Sequence, residues 1–104
     1  MLVSKAYADG DVICFKLVTG DEIVAKIVNT NADGDFVVAR PCTVIPSQQG
    51  LGLMQSLISG NINTNVTLKA QHILMHSPVV PDIEAHYIKT TTGIETVARG
   101  KIIT

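Results

Sequence analysis

The sequence predicts a mainly β fold: a strongly bent antiparallel sheet of about five short strands, or an open barrel, followed by a short C-terminal helix. Three observations carry this. Val12 to Val18, Ile23 to Val28 and Phe36 onward are rich in β-branched and aromatic residues, and compact turn clusters join them. The middle run alternates with a period of two. After the last of these β-type runs, Pro81 opens a stretch whose apolar residues fall four apart. Short strands linked by tight turns must curl to bury their apolar face, which points to a bent sheet or small barrel.

In chain order, the first strand spans Val12 to Val18 and ends at Thr19-Gly20-Asp21, where glycine supplies the positive φ of a tight turn. The second, Ile23 to Val28, sets Ile23, Ala25 and Ile27 on one face and Val24, Lys26 and Val28 on the other. Asn29 to Gly34 forms a second turn with an Asp-Gly pair. Phe36 to Ala39 opens a third strand. Arg40-Pro41 interrupts it and Cys42 to Ile45 resumes it, as at an edge position or a bulge. Gln48 to Asn65 fits neither the helical nor the strand period, so strand, short helix and apolar loop all remain open there. Val66 to Ala70 and Ile73 to His76 read as two short strands around a corner at Ala70-Gln71-His72. Ser77 to Pro81 ends the sheet. A helix then runs from Pro81 to about Thr90, with Asp82 and Glu84 at the positive end of its dipole, Ile83 and Tyr87 facing the sheet, and Thr91-Thr92-Gly93 as its stop.

Length and composition narrow the function classes. A chain of 104 residues makes one domain with one core, about 11–76 with an extension over 77–104. A mean hydropathy of +0.32 with 16% charged residues is high for that size, which implies apolar surface covered by other subunits. The stretch from Pro41 to Leu68 contains no charged residue, yet Pro46, Gln48, Gln49, Gly60, Asn61 and Asn63 break it too often for a membrane span. The start, MLVSKAYADGD, has neither a basic leader nor an apolar core, so no secretory leader is expected. Net charge is −1 and the basic residues are scattered singly, which argues against duplex DNA as a ligand. Cys14 and Cys42 lie in apolar runs without metal-ligand spacing and read as free thiols of a reducing, cytoplasmic compartment.

The stretch from Leu17 to Val38 resembles the first motif of the Sm/LSm proteins. Gly20 stands at the turn glycine, Ile23 and Ile27 at the apolar strand positions, and Phe36-Val37-Val38 at the strand after the polar loop. VTLKAQHILMH, Val66 to His76, is similar to the second motif, with Leu68-Lys69-Ala70 where Ile-Arg-Gly stands in the family and Ile73 at the next apolar position. The bacterial host-factor branch carries a Lys-His near this point, close to Lys69. The resemblance spans Val12 to His76, with an enlarged connection between the motifs, and implies a divergent Sm-like fold.

It also implies a non-catalytic protein whose copies pair edge to edge into a homo-oligomeric ring, with single-stranded RNA as ligand and no cofactor. In such rings an Asn reads a base edge and an Arg stacks on its face. The matching positions here are Asn31, Asp35 and Lys69. Asp35 accepts hydrogen bonds only and adds negative charge, while Lys69 keeps the charge but lacks the planar guanidinium. No aromatic residue stands in the polar loop, where base stacking would contribute about 1–3 kcal/mol per base. These departures imply a weaker or differently selective RNA site. They also keep open a second function, a ring that has lost RNA binding and serves as a protein scaffold.

Other constellations are weaker. His72, His76 and His86 invite a metal reading, but strand residues four apart are separated by about 13 Å. His76 beside Ser77 points to the opposite strand face, which removes a nucleophile–base pair. Met54 to Ile58 is either a partner-docking patch or a segment that extends the sheet or closes the subunit interface.

Overall fold

The computed structural model describes residues 7–61 and 63–101, with side chains as far as Thr92. Among these residues are six strands, a single 3-10 turn and one helix: β1 (Val12–Leu17), β2 (Glu22–Thr30), β3 (Phe36–Ser47), β4 (Gly50–Gln55), β5 (Asn65–Leu68), the turn Ala70–His72, β6 (Ile73–Pro78) and α1 (Pro81–Lys101). All pairings are antiparallel and the strands lie in the order β4-β3-β2-β1-β6. β5 shares an edge of β3 with β4: β5 pairs Phe36 to Ala39 and β4 pairs Cys42 to Ser47, so the two lie end to end. The fold is the mainly β, strongly bent sheet with a C-terminal helix that the sequence predicts.

Three bulges among the described residues bend it. Ala39 pairs Lys26 and Cys42 pairs Val24, so Arg40 and Pro41 together oppose the single Ala25. Val28 and Leu74 are the extra residues at the other two. A bulge raises local twist and turns a strand. Arg40 adopts φ +48°, a left-handed conformation that costs a non-glycine residue about 1–3 kcal/mol. The Tyr87 hydroxyl, donated from α1, lies 3.0 Å from both the Ala39 and the Arg40 carbonyl oxygens and satisfies the backbone that the bulge frees from the ladder. Arg40-Pro41 is thus the bend the sequence marked, and Tyr87 pins it.

Two apolar clusters follow from the strand period. Ile13, Phe15, Ile23, Ala25, Ile27, Phe36 and Val38 fill the inside of the curl, with Leu17, Val66, Leu68 and Ile73 around them. Val12, Val24 and Cys42 point the other way and are covered by Tyr87 and Ile83 of α1. The alternation of β2 and the Ile83/Tyr87 helix face therefore fall as expected.

Four boundaries differ. The unassigned Gln48 to Asn65 stretch contains β4, a sixth strand. Ala70, read as the end of a strand, opens the 3-10 turn instead. β6 continues past His76 because Ser77 and Pro78 still pair Cys14 and Ile13. The helix does not stop at Thr91-Thr92-Gly93 but runs to Lys101. Thr91 turns its hydroxyl back onto the Tyr87 and Ile88 carbonyls at 2.9 and 3.2 Å, a bond made inside a helix rather than at its end. No described helix is long and apolar enough to cross a membrane.

Candidate nucleic-acid interface

Hydrogen bonds link three connections of the bent sheet: the β1–β2 turn, the β2–β3 turn and the 3-10 turn between β5 and β6. The Val18 amide donates to the His72 carbonyl at 2.9 Å, joining the first to the third. Asp35 joins the second to the third.

The β2–β3 turn is built on Asn31. Its Oδ1 accepts the backbone N–H groups of Asp33 and Asp35 at 2.9 and 3.0 Å, and its own backbone exchanges bonds with Asp35 and Gly34. A side-chain carbonyl satisfying the amide two residues on is what suits asparagine to turns. Gly34, with φ +86°, supplies the left-handed residue that closes the turn. Asp35 is thereby set inward, with 4% of its surface exposed. Its Oδ1 accepts the Ala70 amide at 2.7 Å and its Oδ2 accepts the Lys69 ammonium at 3.0 Å, with the Asn31 amide at 3.5 Å. The Ala70 amide and then Lys69 hold the Asp35 carboxyl below the ordinary carboxylate range, against the smaller opposing effect of burial.

Asn31, Asp35 and Lys69 thus come together although Lys69 is 34 residues from Asp35. Each has partners within the subunit. The Asn31 Oδ1 already accepts two bonds, and both carboxylate oxygens of Asp35 already have partners. Lys69 retains exposure over 55% of its side chain and uses one of its three donors on Asp35. It faces solvent with donors to spare, as does the exposed Asn31, whose side-chain NH2 meets only Asp35, at 3.5 Å. Around it the electrostatics are acidic: Asp21, Asp33 and Asp35 stand on these connections against the single ammonium of Lys69.

The sequence reading missed the Ala70 amide, a backbone donor that no side chain announces. It also missed a ring cluster beside the site. His76 stacks edge-on to Phe36 at 5.1 Å and to Tyr7 at 5.4 Å, and its Nδ1 lies 2.6 Å from the Tyr7 hydroxyl. Phe15 and His76 are cross-strand partners, whereas Ser77 faces Cys14 on the other side, so His76 and Ser77 diverge as the strand period requires. The histidines are dispersed: His72 lies in the 3-10 turn, His76 in the ring cluster and His86 on α1.

No family model matches the chain, and no curated protein matches it. Among solved structures the chain is similar to a heptameric archaeal Sm protein, with 14% identity, a TM-score of 0.48, and coverage of 68% of this chain and 88% of that one. It is similar at the same identity, TM-score and coverage of this chain to the P. aerophilum SmAP1 heptamer, of which 81% is covered.

Proposed function

We propose that this protein is a divergent Sm-like, non-catalytic module whose copies join edge to edge into a homo-oligomeric ring and bind single-stranded RNA at the end that carries Lys69. The observation that carries this reading is the Asn31–Asp35–Lys69 network: residues of two motifs far apart in sequence meet in one hydrogen-bonded unit.

The edges of the sheet support the ring. Among the described residues β6 pairs only with β1, and β4 and β5 only with β3, so each end of the strand path has an open edge. Leu74 and Met75 are 61% and 64% exposed on one, and Leu51 and Met54 are 50% and 45% exposed on the other. Two unlike edges make a heterologous contact, which closes into a ring when the rotation per copy closes. RNA enters this reading through Lys69, whose free donors suit a phosphate, rather than through base reading by Asn31 or Asp35.

A specific observation favours a second reading, the scaffold ring without RNA. The Asn31 carbonyl oxygen and the Asp35 carboxylate already have partners within the subunit, and the surrounding connections carry three carboxylates.

Light-scattering mass and fluorescence anisotropy with labelled oligo-U and oligo-A at two salt concentrations separate these. RNA binding predicts a stable oligomer whose salt-dependent affinity is lost in Lys69→Ala. An oligomer indifferent to RNA leaves the scaffold, and a monomer overturns both.

A further inference from the structure

The turn that separates β4 from β5 holds apolar side chains in solvent instead of hiding them. Ile58 is 76% exposed and Leu57 is 50% exposed. This turn is not slack. The Gln55 side-chain amide donates to the Leu57 carbonyl at 2.8 Å and to the Gly60 carbonyl at 3.3 Å, and the Gly60 amide closes back onto the Leu57 carbonyl at 3.0 Å. A Cβ on Gly60 would meet the Leu57 Cβ at 3.0 Å, so the close turn is fitted to glycine. Its base is tied to β3 by the Ser56 amide on the Pro41 carbonyl at 2.9 Å and by Thr43 and Ser56 hydroxyls 3.0 Å apart. A fixed turn with an isoleucine at its tip is already ordered for insertion, and such order reduces the entropy lost on binding.

At the opposite end of the strand path lies an open, mainly apolar cavity of about 230 Å³ beside β1 and β6, bordered by Cys14, Lys16, Glu22, Met75 and Ser77. We infer that this cavity receives the Leu57–Ile58 turn of the neighbouring copy, which makes the turn a knob that fastens one subunit to the next.

The inference rests on the ring reading and follows from direction. Rotational symmetry sets the 3-10 turn of every copy at the same end of the assembly. β5 runs into that turn and β6 runs out of it, so β6 of one copy beside β5 of the next is antiparallel. β5 has four residues, Asn65–Leu68, and in the antiparallel pairing this inference requires they lie beside four of the six residues of β6, Ile73 to His76. The connection preceding Asn65 then arrives beside Ser77, at the cavity mouth. Its chemistry matches: the incoming segment has no charged residue, and a buried isoleucine gives about 1.5–3 kcal/mol.

Two variants test the assignment. Ile58→Asp, at a solvent-exposed position, leaves the far-UV circular dichroism of the subunit unchanged and raises the dissociation constant of the oligomer by about tenfold or more, measured by sedimentation velocity over a dilution series. Ile58→Cys, oxidised with copper phenanthroline, forms a disulfide with the neighbour's Cys14 and gives a covalent ladder on a non-reducing gel, which Cys14→Ser removes. An assembled wild type with Ile58→Asp unchanged in dissociation and no ladder overturns the inference while the ring stands. Weakened assembly without the ladder overturns the choice of this cavity. A monomeric wild type overturns the ring reading itself, and the knob with it.

Discussion

The β2–β3 turn and the β4–β5 turn are organised by the same device with opposite results. In each, a side-chain amide bonds the backbone of its own turn: Asn31 through its oxygen to two N–H groups, Gln55 through its nitrogen to two carbonyls. The first turn buries its carboxylate, Asp35, against the β5–β6 connection, whose Lys69 stays outside. The second uses its polar groups inward and leaves an isoleucine outside. A turn that satisfies its own backbone has few polar groups left for a ligand, so what it offers is whatever its geometry does not consume. Beside the first that leaves the charge of the Lys69 it holds, suited to phosphate, and on the second an apolar tip suited to another protein surface.

Both turns hang on β3, and the bulge at Arg40-Pro41 divides the half that carries β5 from the half that carries β4. The largest expected effect is therefore at the pin of that bulge. Tyr87→Ala removes a side chain that is 1% exposed together with its hydrogen bonds, at a cost of about 3–5 kcal/mol by analogy with other large aromatic truncations. Tyr87→Phe keeps the packing and costs about 1–2 kcal/mol. Urea denaturation of the two variants checks the ratio. Equal losses would mean that the hydroxyl, not the ring, holds the bend.

Asp35 sharpens the contrast between the turns. Asp35→Ala leaves the Ala70 amide and the Lys69 ammonium without their acceptor, and hydrogen exchange at Ala70 is expected to speed up more than anywhere in the β4–β5 turn. The pH dependence has a fixed sign. The folded carboxyl titrates below its unfolded value, so its stabilisation is present above the ordinary carboxylate range and is lost as pH falls through the depressed folded value. Carbon-detected titration of Asp35 follows this directly, and Lys69→Ala moves the midpoint upward. An unchanged midpoint would mean that Lys69 contributes nothing to the network. If RNA binds, the same variant also reduces the salt slope by about 0.7 for each phosphate that it no longer neutralises.

Much of this contrast was legible in the sequence, and the remainder was hidden for identifiable reasons. β1 and β2 are covered on both sides, one by the curl and one by α1, so burial wrote apolar residues onto both faces of Ile23 to Val28, a run long enough to announce a strand. β4 has a free edge and exposed or half-exposed residues, and its Leu51 and Leu53 alternate only with glycines, which are poor strand formers, before Met54 breaks the pattern. The stop expected at Thr91-Thr92-Gly93 failed because a threonine that bonds its own helix looks, in a string of letters, like one that ends it. Motif spacing brought Asn31, Asp35 and Lys69 to one place. It did not say which of them spends its hydrogen bonds on the fold, since the deciding partner is the Ala70 amide.

A smaller effect belongs to the β4–β5 turn. Gln55→Ala removes two exposed amide bonds and costs about 0.5–1.5 kcal/mol at most in the subunit. Its consequence for assembly is larger than for folding, because the turn must then be ordered on contact. A parallel loss of subunit stability and of assembly would argue that the clamp serves only the fold.

The smallest signal comes from the two thiols, which report on opposite sides of the same question. Burial pushes the Cys42 thiol up to about 11, and Cys42 lies under α1 on the half of β3 that carries β4. Cys14 is half-buried at the cavity assigned to the neighbour's knob. Below its ordinary value of about 9, Cys42 is protonated in both folded and unfolded chains. As pH rises from there to about 11 the unfolded chain ionises first, so stability falls over that window. Near pH 8, alkylation should label Cys14 in a dilute sample and spare Cys42. If the cavity is filled in the assembly, labelling of Cys14 slows as protein concentration rises while Cys42 stays silent throughout. A Cys14 rate independent of concentration would leave that cavity open in the oligomer, and the two turns would then differ in chemistry without differing in role.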